Sequence, residues 1–364
     1  MPRQLFSSAV LLLLCLLLMC GVSGFVCAAG KSEDGAIFCW KDISAEGEGA
    51  VDALRAPVLL EVGGEPLLIA EALFKKGGAD AITAILSQPL TAGAGKALEV
   101  KLETSEGKPQ VLDNCTQSEK KTNLSRPTAV VKGNDIYMLL GNYSAAQPVG
   151  EGEWRLLLVK GSVSGGKRIT WGEPSLLTRT FTIEDHKSVS RLIGGGGAGV
   201  LTGDGTLVFP VEATKRKPET TGNTVSLVLY SSDPETGTWR LSKGMSAEGC
   251  GSPSVVAWEG NKLLMMAACE GGRRRVYESD NKGETWMEAL GTLSRVWGGA
   301  PAGAGPGVPS GFITATIGGS GEGRRVLLVT LPVHSGDGGN GQLHLWLADA
   351  AHVVDAGPIP TAGD

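Results

Sequence analysis

The chain has 364 residues, room for one large domain or two ordinary ones. Hydrophobic residues make up 42% and charged residues 20%, a composition that excludes a disordered chain, and a net charge of −5 excludes a basic surface that would draw in nucleic acid. Glycine is abundant, at 54 residues, and with short apolar runs it points to an all-β chain rich in tight turns.

Residues 1–29 read as a secretory signal peptide. Arg3 supplies the positive start, and Ala9 to Cys20 is an unbroken apolar run too short to span a bilayer. Gly21, Ser23, Gly24, Ala28 and Ala29 offer the small residues among which cleavage is expected. A signal anchor retained in the membrane is the alternative, weakened because no second apolar stretch extends the run. Residues 30–364 are then the mature domain, secreted or at the cell surface, with no transmembrane helix after cleavage.

Beyond a strand candidate at AIFCWKDI (Ala36 to Ile43), one pattern recurs: an apolar run, a turn containing glycine, and a second apolar run. It occurs at Pro57–Ala72, Pro127–Gly141, Gly197–Val211, Pro253–Ala268 and Gly311–Val333. The spacing, on the order of 55–70 residues, suits the blades of a propeller, whose hairpins must stack on one another to bury their apolar faces. An ordinary β-sandwich is the alternative. Trp154–Val163 and Thr224–Ser232 fit outer strands, Gly298–Gly311 a long surface loop, and Arg273–Arg275 a solvated strand edge. No nucleotide or metal set emerges. The glycines of Ile193–Gly205 lack a strand before and a helix after them, and the four histidines lack ligand spacing, so neither cofactor nor metal is expected.

In an oxidising compartment, Cys39, Cys115, Cys250 and Cys269 can pair in three ways that the sequence leaves open, with burial as free thiols the alternative. Sequons at Asn114, Asn123 and Asn142 mark candidate glycosylation sites.

YESDNKGETW (Tyr277 to Trp286) matches the Asp-box pattern Ser-x-Asp-x-Gly-x-Thr-Trp through Ser279, Gly283, Thr285 and Trp286, with Asn281 at the Asp position. A looser copy, SSDPETGTW, keeps Ser231, Asp233, Thr238 and Trp239 but carries one extra residue. Such a turn needs a small polar side chain to bond its backbone and a glycine to take φ > 0, which makes it structural. RRRVYES, the Asp box, EALGTLSRVWG, WEGNKL, RPTAVVKGNDIYML and LHLWLADA together closely resemble the trypanosome trans-sialidase superfamily, over roughly Leu54 to Gly357. The resemblance implies a sialidase-type β-propeller, six-bladed in the family and followed in full-length members by a lectin-like β-sandwich. Five core hairpins imply an incomplete last blade here, or one completed by strands such as Ala36–Ile43, with no lectin-like domain and no C-terminal lipid-anchor signal.

The resemblance also implies site residues. Arg55, in LRAP, falls at the first of three arginines that clamp the substrate carboxylate, and Glu71, in AEA, at the acid–base. A Glu there displaces the carboxyl by roughly 1–1.5 Å relative to the family's Asp, enough to cost about 100-fold. Elsewhere the pattern has drifted. Arg126 replaces a sugar-holding Asp, Ser252 the Glu that polarises the nucleophile, and Ala268 and Gln342 the other two clamp arginines. Losing two clamps removes about 3–6 kcal/mol of anion binding. The expectation is a catalytically inactive secreted or surface glycoprotein that binds host sialoglycans or host surface proteins, or acts in immune evasion, with Arg55 and Glu71 left as an ion pair within one blade. The alternatives are an active exo-α-sialidase or trans-sialidase, and a chain whose open sheet edges keep it from folding well.

Overall fold

The computed structural model describes residues 30–31, 37–42, 51–74, 82–90, 109–115, 123–143, 156–163, 169–177, 186, 189–217, 220–270, 273–289, 291, 294, 310–318, 323–333, 341–349 and 351–360. The signal segment and most of the Gly298–Gly311 loop lie outside them. Among the described residues no helix is long and apolar enough to cross a membrane.

Five antiparallel sheets are arranged as the blades of a propeller. The first has six strands, in the order Gly30–Lys31, Ile37–Asp42, Gln110–Asn114, Ile82–Pro89, Glu65–Phe74 and Val51–Val62. The second has Asn123–Lys132 innermost, then Asp135–Tyr143, Leu156–Val163 and Ile169–Trp171. The third runs Val189–Gly194, Leu207–Lys217, Thr220–Ser231 and Arg240–Leu241. The fourth runs Cys250–Ala257, Leu263–Cys269, Arg273–Ser279 and Met287–Glu288, and the fifth Phe312–Ile317, Arg324–Val333, Gln342–Ala348 and Val353–Pro358. All five expected hairpins form. The Ala36–Ile43 candidate forms a strand too, but it pairs with Gln110–Asn114 on the outer side of the first sheet and so does not complete a last blade.

Stacking explains the unbroken apolar runs, because a strand buried on both faces has no polar face to show. Ile136, Met138 and Leu140 pack with Val58, Ile69 and Ile85 of the first sheet. Their neighbours Tyr137 and Leu139 join Leu207, Phe209 and Trp239 of the third. Val208 and Val228 meet Val255 and Leu263 between the third and fourth sheets, and Met266 meets Phe312 and Val329 between the fourth and fifth. A two-sheet sandwich is thereby excluded. Disulfides Cys39–Cys115 and Cys250–Cys269 select one of the three pairings; the second joins residues directly opposite each other on adjacent strands.

The Asp-box turn works with asparagine. Ser279 Oγ accepts the N–H groups of Asn281 and Gly283, at 3.3 and 2.8 Å, and Asn281 Oδ1 accepts the N–H of Thr285 at 3.0 Å. Asn281 Nδ2 also donates to Thr285 Oγ1 at 2.9 Å, so the amide supplies the turn with an acceptor and a donor. In the looser copy a single 3-10 turn, Pro234–Thr236, takes up the extra residue, Ser231 Oγ donates to the Thr238 carbonyl at 2.7 Å, and Trp239 packs on Phe209. One expectation fails: Arg274 is 7% exposed, not on a solvated edge, and burial pulls its guanidinium down to about 10.

At the far end of the third and fourth sheets, Lys282 Nζ lies 2.6 Å from Asp204 Oδ2, and Thr202 Oγ1 donates to the same carboxylate. The Lys282 bond first, and the threonine bonds second, hold the Asp204 carboxyl below the usual carboxylate range. A depressed folded pKa adds stability above the unfolded value of about 3.9 and loses it as pH falls through the folded one. Asp204→Asn should therefore lower stability at neutral pH by no more than about 1 kcal/mol, because the pair is largely exposed. In urea titrations the gap from wild type should close on acidification toward pH 2 and shrink in high salt; a gap unchanged with pH would refute the pairing.

Candidate functional site

The inner strand of each of the first four sheets breaks register near its start, and each break contains a non-glycine residue with positive φ: Ala56 at 44°, Arg126 at 47°, Arg191 at 52° and Ser252 at 48°. In three of them the next residue is a proline, whose ring pushes its predecessor toward extended backbone. These residues are strained, and such strain persists only where surrounding contacts over-determine it. A bulged residue also drops out of the ladder, so its N–H must find another acceptor.

Two carboxylates supply acceptors. Glu71, on Glu65–Phe74 beside the inner strand of the first sheet, accepts the Arg126 N–H through Oε2 at 3.1 Å. Glu212, on the second strand of the third sheet, accepts the Ser252 N–H at 2.7 Å and the Arg126 guanidinium at 2.9 Å, both through Oε2. The series Glu71, Arg126, Glu212, Ser252 thus links four consecutive sheets. Backbone closeness permits it: a Cβ on Gly251 would lie 2.7 Å from Glu212 Oε2, and one on Gly195 would lie 2.1 Å from the Pro253 carbonyl. The glycine run that resembles a nucleotide loop is therefore packed between sheets. Thr128, fully buried, donates to the Arg126 carbonyl and accepts the Gly196 N–H at 3.0 Å.

The chain order of the strands puts Arg55, Glu71, Arg126, Ser252, Ala268 and Gln342 at one end of their sheets, where the inner strands begin, and the Asp-box turns at the other. Of these residues the structure joins Glu71, Arg126 and Ser252 in one network. Arg55 is exposed and faces Glu71 across the strand pair, but that carboxyl, 9% exposed, is hydrogen-bonded to the second sheet. Ala268 is buried, in register with Arg274, and Gln342 is exposed at the rim of the fifth sheet. Buried Tyr277 accepts the Ala247 N–H through its hydroxyl. Tyr137 bonds Glu235, and burial, then that bond, pushes its phenol up to about 12. Among the described residues no cluster could hold a metal ion. Asn114 ends a strand, Asn123 begins one and Asn142 is the last residue but one of Asp135–Tyr143, all at the same end of their sheets as Arg126.

Sequence reasoning misses Glu212, which sits 86 residues from Arg126 and 40 from Ser252. The one available signal is a lone acid in the apolar run LVFPVEA, at a position where a buried strand should be apolar.

Comparison with known proteins agrees with this architecture. The family described as a BNR repeat-like domain matches residues 56–364. A sialidase of Trypanosoma cruzi is 35% identical over 247 residues, covering 64% of this chain and 20% of the relative. Sialidase 85-1.1 of the same organism is 36% identical over 251 residues, covering 64% and 32%. Trypanosoma rangeli sialidase in complex with sialic acid superposes with a TM-score of 0.71 at 29% identity, over 91% of this chain and 50% of that one. The chain thus spans a fifth to a third of these curated relatives and half of the solved one.

Gly251→Ala should force Glu212 out of its position. The expected cost is about 1–3 kcal/mol in chemical denaturation, as for other overpacked sites; a neutral effect would show that the carboxylate is not confined by the strand beside it.

Proposed function

The chain belongs to the sialidase and trans-sialidase superfamily through its BNR repeat-like domain, and from this premise we propose that it is a non-catalytic glycoprotein, secreted or held at the cell surface, that binds host glycans or proteins. What supports this reading is the engagement of the centre's carboxylates. A general acid must offer its proton to a leaving group. Glu71 is buried and accepts a backbone N–H, and Glu212 already neutralises Arg126. The positions that the family fills with clamping arginines and a polarising Glu hold Ala268, Gln342 and Ser252, none of which carries charge.

One observation favours a second reading, an active exo-α-sialidase: Arg55 and Glu71 remain cross-strand partners at the mouth of the centre. For Glu71 to act, it would have to release the half-buried Arg126 N–H, a charge-assisted bond of about 1.5–3 kcal/mol. A scaffold can persist without its chemistry, since fold and function are separable. The T. rangeli enzyme, solved with sialic acid, suggests sialylated glycans as the first ligands to try.

Incubating the purified protein with a fluorogenic α-sialoside tests the reading. Release at the buffer rate is expected. Sustained release at more than about ten times that rate, abolished by Glu71→Gln, would establish an enzyme instead.

A further inference from the structure

We propose that Glu212 is the site's own ligand: its carboxylate fills a seat for a small carboxylate, formed by the Arg126 guanidinium and the Ser252 N–H, and so closes the centre to anionic sugars. The inference rests on the reading that the centre does not process sialic acid, and names the residue that holds it closed.

The seat is defined by donors from different sheets aimed at one oxygen. The Arg126 guanidinium, from the second sheet, and the Ser252 N–H, from the fourth, meet Oε2 of Glu212 at 2.9 and 2.7 Å. Both distances are those of charge-assisted bonds. The Ser252 N–H points there because the residue is held at φ 48°, outside the strand ladder. The seat is close-fitting, with the Gly251 backbone against the same oxygen. It is also reachable: the Arg126 and Glu212 side chains are 28% and 21% exposed.

Neither donor can shed its need for an acceptor. A guanidinium stays protonated, and a buried N–H without an acceptor is costly. Shortening Glu212 therefore leaves an anion-shaped demand, two donors around a gap the size of the lost carboxyl group. In the intact protein the tethered carboxylate competes at an effective concentration far above any dissolved ligand, which keeps a free sugar acid out. Arg55, at the clamp position that the resemblance retains, is exposed on the inner strand of the first sheet.

Chemical rescue tests the seat. Purified wild type, Glu212→Ala and Glu212→Ala/Arg126→Leu are melted in about 100 mM sodium acetate, sodium chloride or acetamide at matched ionic strength. Acetate should raise the Tm of Glu212→Ala by about 2–4 °C over chloride, leave wild type unmoved, and lose its effect in the double variant. Acetamide, the same size without charge, should do nothing. No acetate-specific shift in a cooperatively melting Glu212→Ala, or an equal shift in the double variant, overturns the seat. If Glu212→Ala is not recovered folded from chloride, recovery on refolding replaces the melt: folded protein with acetate but not acetamide supports the seat, and equal recovery overturns it. Hydrolysis of a sialoside by the wild type would sink the non-catalytic reading without touching the acetate result, so the two failures are distinguishable.

Discussion

Four successive inner strands each turn one residue into the left-handed region near their start, and two of the N–H groups expelled from the ladder are met by Glu71 and Glu212. Arg126 sits in the middle of this arrangement. Its backbone is held by the first sheet, and its side chain binds the carboxylate that also holds the fourth. Apolar stacking between blades has no direction and tolerates small slips, whereas a charge-assisted bond of about 1.5–3 kcal/mol has a geometry. The carboxylates therefore set how the entrance ends of the sheets meet, while Leu, Val and Met side chains fill the space between them. The glycines at 195 and 251 follow from the same constraint, since the strands approach too closely for a side chain.

That constraint has a chemical consequence. In a propeller centre built for an anionic sugar, positive groups converge on an empty space. Here the space beside Arg126 holds a carboxylate of the chain itself, and the acid across from Arg55 serves as a backbone acceptor. Both acids are engaged by groups of neighbouring sheets. The drift at Ser252 is coherent with this, because its backbone N–H, not its side chain, makes the contact with Glu212. Trypanosoma rangeli sialidase, solved with sialic acid, shares this arrangement of blades over 91% of the present chain and half of its own.

Much of the fold was legible because its signals are local. Gly63-Gly64, Gly133-Asn134 and Gly203–Gly205 mark turns, and runs such as Ile136–Leu140 are apolar at every position because both faces are buried. Ile82–Pro89 and Gln110–Asn114 are not legible in the same way, having no place in the repeated hairpin. The site was harder for two physical reasons. A residue before proline reads as extended, yet Ala56, Arg126 and Ser252 are left-handed, since contacts between sheets override the local preference. Glu212 meets partners in two other blades, and nothing local to it announces either. The cysteines behave likewise: spacing left three pairings open, and only strand register puts Cys250 opposite Cys269. Arg274 is the converse case, one of a run of arginines that reads as surface and yet is buried, opposite Ala268 within the fourth sheet.

Whether Arg126 and Glu212 act as a pair holding neighbouring blades can be read from a double-mutant cycle. The stabilities of wild type, Arg126→Leu, Glu212→Gln and the double variant are measured by urea denaturation. The account predicts a coupling energy of about 1–3 kcal/mol, with the double variant less destabilised than the sum of the singles. A coupling within about 0.3 kcal/mol of zero would contradict it, leaving the two side chains as neighbours that share a pocket without depending on each other.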